Sequence, residues 1–104
     1  MIFRRDRFGD VIRRQLDLFA LDHRFVIEEV DERLDAYNRA DRDEAEELYG
    51  DYVDAVETGT EILADIRDAY SRNLEEGIDD QYEREFNRAV LKRWPHFALE
   101  IENR

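Results

Sequence analysis

The sequence predicts an all-α protein, an antiparallel three-helix bundle whose third helix is kinked at Pro95. Apolar residues recur at helical spacing, and no long stretch alternates with the two-residue period of a strand. Glycine and proline are scarce, with four and one among 104 residues, so turns are few. The two polar connections are only a few residues long, which favours antiparallel neighbours in a single helical domain spanning residues 1–104.

The first predicted helix runs from about Asp6, its N-cap, to Tyr37. A step of about 100° per residue places its apolar side chains on one stripe. The stripe holds Phe8, Ile12, Leu16, Phe19, His23, Val26, Val30, Leu34 and Tyr37. At about 1.5 Å per residue, this uninterrupted helix would be roughly 50 Å long.

The second predicted helix runs from about Arg42 to Glu75 and begins at an approximate capping box. Asp41 can accept hydrogen bonds from the first-turn amides, and the Glu44 side chain can reach back. No acidic residue enters the middle of the apolar stripe, so the carboxylates are expected to face water. Gly77 is expected at the C′ position, just beyond the end of the helix.

The third predicted helix begins at Asp79 or Asp80 and continues to Ile101. Pro95 interrupts it, because proline cannot donate a hydrogen bond to the carbonyl of Leu91. Apolar residues beyond Pro95 continue the same stripe. We therefore expect a kink within one helix at Pro95 and not a helix end.

The chain is strongly acidic, with 28 acidic and 16 basic residues and a formal net charge of −12. Residues 41–68 hold most of the excess, with 11 acidic and 2 basic residues. This balance argues against binding to nucleic acids or anionic membranes. The acidic face of the second helix either attracts a basic protein partner or simply solvates the helix. Its residues are Glu46, Asp54, Glu57, Glu61, Asp65 and Asp68.

The absence of cysteine excludes disulfides, thiolate metal sites and a cysteine nucleophile. The start of the chain lacks the apolar segment and cleavage site of a signal peptide. The longest apolar run, Leu18 to Leu21, is four residues, far shorter than a membrane span. We expect a cytoplasmic protein with no membrane segment.

The first helix carries more apolar residues than one stripe needs, with eight among the twelve residues 16–27. A second apolar row lies about 100° or more around the helix from the first. This row is Val11, Leu18, Leu21 and Phe25. In so small a chain we expect the row to pack against a second copy, as a homodimer interface. In the alternative, the third helix and its tail cover the row within one chain.

The two histidines suggest one interior ligand-binding site. Loop-based register places His23 and His96 within about one helical turn of each other, a distance of about 5 Å along the bundle axis. Tyr52 and Glu100 lie near the same level, so the candidate ligand-binding residues are His23, Tyr52, His96 and Glu100. In the competing interpretation, His23 is a core histidine that bonds to the Tyr52 hydroxyl. The same register places Gly59 opposite Trp94, where a glycine would admit the indole.

The sequence offers no recognisable catalytic machinery, metal-ligand pattern or cofactor motif, so we expect no catalytic residues, no metal and no cofactor. Ser71 is the only serine, and no histidine is expected near it. The leading functional hypothesis is a noncatalytic interaction or structural module that acts as a homo-oligomer. The alternative is a helical bundle that binds a small ligand or a metal near His23 and His96.

Overall fold

Residues 7–104, which the computed structural model describes, form five α-helices and contain no β-strand. This confirms the all-α class. The helices are α1 (Gly9–Asp22), α2 (Arg24–Arg39), α3 (Arg42–Ser71), α4 (Ile78–Arg93) and α5 (Pro95–Glu102). The predicted N-cap Asp6 lies outside the described residues.

The prediction of one continuous first helix is wrong, because the helix is interrupted at His23 and forms two helices, α1 and α2. His23 has φ −125° and ψ 33°, outside the helical region. Its N–H closes α1 on the carbonyl of Phe19 at 2.9 Å, and its own carbonyl accepts from Val26 at 2.9 Å to open α2. The two halves have different packing partners, since α1 packs mainly on α4 whereas α2 packs on α3. A break in direction lets each half follow its own neighbour.

The α3 helix begins where the capping residue predicts and ends earlier than expected. The Asp41 carboxylate accepts from the backbone N–H groups of Asp43 and Glu44, at 3.1 and 3.2 Å. The helix ends at Ser71, not at Glu75. Gly77 therefore lies at the start of α4 and not just after α3, and there it adopts φ +90°, which favours glycine.

The predicted kink at Pro95 is instead a complete break. The α4 helix ends at Arg93, and Trp94 lies outside the helical region, with φ −139° and ψ 83°. Pro95 is the first residue of α5. A proline disfavours helical geometry in the residue before it, yet it suits the first position of a helix, where no intrahelical donor is needed. The Pro95 ring thus ends one helix and starts the next.

The α3 helix runs antiparallel to both α2 and α4, as side-chain pairs show. The Arg33 guanidinium lies 3.8 Å from Asp51, and the rings of Tyr37 and Tyr49 are 5.3 Å apart. Residue numbers therefore increase along α2 in the direction in which they decrease along α3. All five helices contribute side chains to the core. Its largest fully buried side chains are Phe19, Leu63, Tyr82, Phe86, Phe97 and Ile101.

The short α5 helix packs against α3 and α4, and it approaches α3 closely at Gly59. A Cβ atom on Gly59 would lie 2.5 Å from Cε1 of the Phe97 ring, which is almost completely buried. Gly59 therefore makes room for Phe97. The prediction that Gly59 admits the Trp94 indole is wrong. The separate direction of α5 after Trp94 explains the difference, because it turns Phe97 towards α3.

Arg67 holds the other end of α5, although it is only 3% exposed. Its Nη1 donates to the carbonyl oxygen of Ile101 and to the side-chain oxygen of Asn87, both at 3.0 Å. Its Nε donates to Asp68 at 2.8 Å. One buried guanidinium thus joins α3, α4 and α5, and it adds a charge-assisted hydrogen bond to a carbonyl in the last turn of α5.

Replacing Gly59 with alanine is expected to lower the free energy of unfolding by about 1–2 kcal/mol, after allowance for the better helix propensity of alanine. The added methyl group would lie 2.5 Å from the buried Phe97 ring, so the ring or the helix must shift. Urea denaturation measures the change. The matched control is Gly50→Ala in the same helix, where nothing lies within 4 Å of the added Cβ. This control should gain about 0.5–1 kcal/mol, and equal effects of the two substitutions would contradict the packing at Gly59.

Tyr82 makes the stability of the fold sensitive to alkaline pH. Burial raises the pKa of Tyr82 to about 12, against the ordinary value of 10.0, although its hydroxyl donates to Gln15 at 2.9 Å. From pH 10 to about 12 the unfolded chain loses the Tyr82 proton while the folded chain keeps it. The contribution of Tyr82 to the free energy of unfolding is therefore complete below pH 10 and is lost as the pH rises to about 12. Urea unfolding of Tyr82→Phe at increasing pH should show a fall in the free energy of unfolding that is smaller than in wild type by roughly 2–3 kcal/mol. In the exposed control Tyr49→Phe the loss should remain.

Candidate functional site

Three of the four predicted ligand-binding residues line one groove between α3 and α5. They are Tyr52, His96 and Glu100, and the groove has a volume of about 190 Å³. The remaining lining comes from α3 and includes a second aromatic ring, two valines and a carboxylate. These residues are Tyr49, Val53, Val56 and Glu57.

His23 does not join this groove. It lines a separate cleft of about 370 Å³ between α1 and α3, together with Ile62 and Asp65. Its ring packs 5.6 Å from that of Phe19, which in turn packs 5.2 Å from Trp94. The predicted meeting of the two histidines is not observed, because α2 and α3 pair in a different register from the predicted one. Arg33 lies 3.8 Å from Asp51, and His23 comes level with Ile62 and Asp65 instead of with Tyr52.

Tyr52 and His96 are hydrogen-bonded, with 3.1 Å between the hydroxyl oxygen and Nδ1. On the other side of the ring, Nε2 of His96 lies 3.6 Å from the Asp31 carboxylate on α2. A carboxylate next to Nε2 favours a proton there, which leaves Nδ1 to accept from the hydroxyl. Tyr52 therefore bonds to His96 and not to His23. The prediction that Tyr52 satisfies His23 is wrong.

The electrostatics of the groove keep Tyr52 protonated. Burial, and secondarily the nearby Tyr49, raise the pKa of the Tyr52 hydroxyl above its ordinary value of 10.0. Tyr52 is therefore a neutral donor at physiological pH. Its ring lies 6.1 Å from that of Tyr49 and 6.0 Å from that of His96, so the groove has an aromatic wall and a carboxylate rim.

The described residues do not assemble a metal-binding or nucleophilic centre. Within residues 7–104, no group of three or more His, Asp or Glu side chains is placed to hold a metal ion. Ser71, the only serine in the sequence, is buried, and its hydroxyl donates to Glu83 at 2.5 Å. The groove itself presents aromatic rings and carboxylates.

The predicted interface row is the most exposed apolar surface of the described chain. Leu18, Leu21 and Phe25 are 54%, 70% and 66% exposed, and they flank the break at His23. Val11 differs from them, because it is half-buried and packs against the core. The alternative that the tail covers this row is wrong, since α5 packs on α3 and α4 instead.

The predicted acidic face of α3 largely faces solvent. Five of its six residues are exposed, namely Glu46, Asp54, Glu57, Glu61 and Asp65. Asp68 is half-buried beside Arg67, with which it forms an ion pair at 2.8 Å. The face therefore presents a row of carboxylates along one side of a 30-residue helix.

Sequence reasoning missed two neighbours of the groove, Asp31 and Tyr49. Asp31 lies among several acidic residues on α2, and nothing in the local sequence distinguishes it from them. Tyr49 falls outside the apolar stripe of α3, yet it is one turn before Tyr52, and that spacing could have indicated a shared aromatic surface.

Comparison of the chain with family models, with curated proteins and with solved structures finds no match. Within residues 7–104, no helix combines the length and the apolar character needed to cross a membrane. The two candidate surfaces on residues 7–104 are the α3–α5 groove and the exposed apolar row of α1 and α2.

Removing the hydroxyl in Tyr52→Phe should lower the free energy of unfolding by about 1 kcal/mol, because His96 loses its hydrogen-bond partner. The nitrogen NMR signal of His96 Nδ1 should shift in the same variant. The matched control is Tyr49→Phe, since the Tyr49 hydroxyl makes no hydrogen bond within residues 7–104. An unchanged Nδ1 signal in Tyr52→Phe would show that the two groups are not bonded in solution.

Proposed function

We propose that this protein is a noncatalytic helical interaction module that acts as a homodimer. The observation that supports the proposal is the exposure of Leu18, Leu21 and Phe25 on adjacent turns of α1 and α2. Contiguous exposed apolar patches on proteins of this size are typical of interaction sites. Val11 lies at the edge of the same face and completes the proposed interface.

The energetics favour self-association over continued exposure. Fully burying each of these large side chains stabilises a complex by about 1.5–3 kcal/mol, before the cost of association. A twofold dimer covers the face on both chains at once, and it is the commonest closed assembly of identical subunits. In this proposal the antiparallel helices of two chains form one larger bundle, with α1 and α2 at its centre.

The acidic face of α3 provides a second surface for a basic protein partner. It lies on a different helix from the proposed dimer interface, and its Asp65 adjoins Leu18 across the cleft between α1 and α3. Its carboxylates would raise the association rate of a basic partner through long-range attraction, an effect that salt weakens. The proposed role is thus to bring partners together, without catalysis and without a cofactor.

The second candidate function is binding of a small organic ligand in the α3–α5 groove. The observation that favours it is the meeting of Tyr52, His96 and Glu100 at one groove of about 190 Å³. His23 is not part of this proposed site. Native mass spectrometry of the purified protein separates the two functions, because one spectrum reports both the number of subunits and any retained ligand.

The dimer proposal is tested by Leu18→Asp and Phe25→Asp, with subunit mass measured by sedimentation equilibrium. Each substitution should raise the dimer Kd by roughly 100-fold or more, since it removes about 1.5–3 kcal/mol of apolar burial and adds a carboxylate to the interface. Both side chains are exposed in the monomer, so the helical content should not change.

The matched control is Leu91→Asp, which alters another exposed leucine, 47% accessible, on α4 and away from the proposed interface. It should leave the dimer intact. A wild-type protein that sediments as a monomer at high concentration would overturn the proposal.

A further inference from the structure

The exposed face of α1 and α2 has opposite charges at its two ends. Arg14 lies at one end, Leu18, Leu21 and Phe25 lie in the middle, and Glu28 lies at the other end. Spacings of four and three residues keep Arg14, Leu18 and Leu21 on one side of α1. A spacing of three residues keeps Phe25 and Glu28 on one side of α2, beyond the break at His23. All five side chains are exposed. The face is therefore basic at its start, apolar at its centre and acidic at its end.

We infer that two copies of the chain pack antiparallel through this face, with Arg14 of each chain opposite Glu28 of its partner. This inference rests on the proposed homodimer and specifies its orientation. Arg14 on α1 and Glu28 on α2 are each seven residues from Leu21. A twofold axis near Leu21 therefore brings opposite charges together twice and sets Leu18 of one chain against Phe25 of the other.

A parallel pairing of the same faces is disfavoured by charge. It would place Arg14 beside the partner's Arg14 and Glu28 beside the partner's Glu28. Like charges in contact across an interface oppose association, and they select against the wrong arrangement. The polarity of the face thus distinguishes the two orientations, although the apolar centre alone would accept either.

The charges within the chain leave both ends of the face available. Among residues 7–104, Arg14 forms no ion pair, whereas the neighbouring Arg13 and Asp17 are paired with Asp10 and Arg93 at 2.6 and 2.7 Å. Glu28 lies 3.8 Å from Arg24, and both side chains are mostly exposed. An exposed pair at this distance is weak, so Glu28 can bind a second guanidinium without loss of a strong contact.

The break at His23 lies between Leu21 and Phe25, close to the proposed axis. The two halves of the face therefore belong to different helices. In an antiparallel dimer, α1 of each chain meets α2 of its partner, so the same bend occurs at the same place in both chains. The geometry that lets α1 and α2 follow different neighbours within one chain is thus compatible with a twofold arrangement.

A charge exchange tests the orientation by sedimentation equilibrium at low salt. Arg14→Glu and Glu28→Arg should each raise the dimer Kd by roughly tenfold, because each turns two attractions into two repulsions. The double variant restores opposite charges with the positions exchanged, so its Kd should return to within about threefold of wild type. The control Arg13→Glu changes the net charge as Arg14→Glu does, but off the face, and it should have little effect.

Cysteine crosslinking provides an independent measurement, because the natural chain contains no cysteine. When Leu18→Cys and Phe25→Cys chains are mixed and oxidised, the antiparallel arrangement predicts mainly the mixed disulfide dimer. A parallel arrangement predicts dimers of each variant with itself, and that result would overturn the inference.

The outcomes separate the orientation from the dimer itself. If neither charge reversal raises the dimer Kd, or if the double variant does not restore it, the antiparallel arrangement is wrong. The proposed homodimer itself would not be contradicted by that result. An equal weakening by Arg13→Glu would assign the effect to net charge and would also overturn the inference. A monomeric wild type would overturn both.

Discussion

The contact between Gly59 and Phe97 governs the arrangement of the rest of the molecule. Because Gly59 has no side chain, α5 can lie directly against α3 and bury the Phe97 ring in the core. Arg67 then binds the carbonyl of Ile101 at the far end of the same helix. With both positions held, α5 stays on α3 and α4, and it cannot extend over α1 and α2. The close approach thus completes the core and, at the same time, leaves the apolar row uncovered.

The same docking creates the aromatic groove. Because Phe97 is fixed against α3, the preceding His96 is held next to Tyr52, with Asp31 on its other side. The groove and the apolar row therefore depend on a common cause, although they lie on different parts of the surface. The groove combines aromatic and apolar side chains with polar groups, and Tyr52 and His96 already bond to each other, whereas the row is apolar and open to water. This contrast favours the row as the principal interaction surface, because exposed apolar area has more free energy to gain from burial.

The acidity of the chain is compatible with the proposed dimer because the charge is unevenly placed. Residues 41–68 carry most of the negative excess, and they form almost all of α3. The face of α1 and α2 instead carries one basic end and one acidic end around its apolar centre. Two chains can therefore meet at a locally neutral surface while their acidic helices remain in solvent, where salt screens the repulsion between them.

The amino-acid pattern alone predicted the helical class, the start of α3 at Asp41, the apolar row and the outward position of most acidic residues on α3. Each of these depends on periodicity or on contacts within a few residues. Tyr52, His96 and Glu100 were also recognisable as neighbours, since short loops constrain register. Four features could be known only from the tertiary structure. They are the interruption at His23, the end of α4 before Pro95, the contact of Gly59 with Phe97 and the burial of Arg67. They arise from competition among helices for the same packing partners. Helical periodicity tells which side of each helix is apolar, but the direction of α5 determines which of those sides is covered.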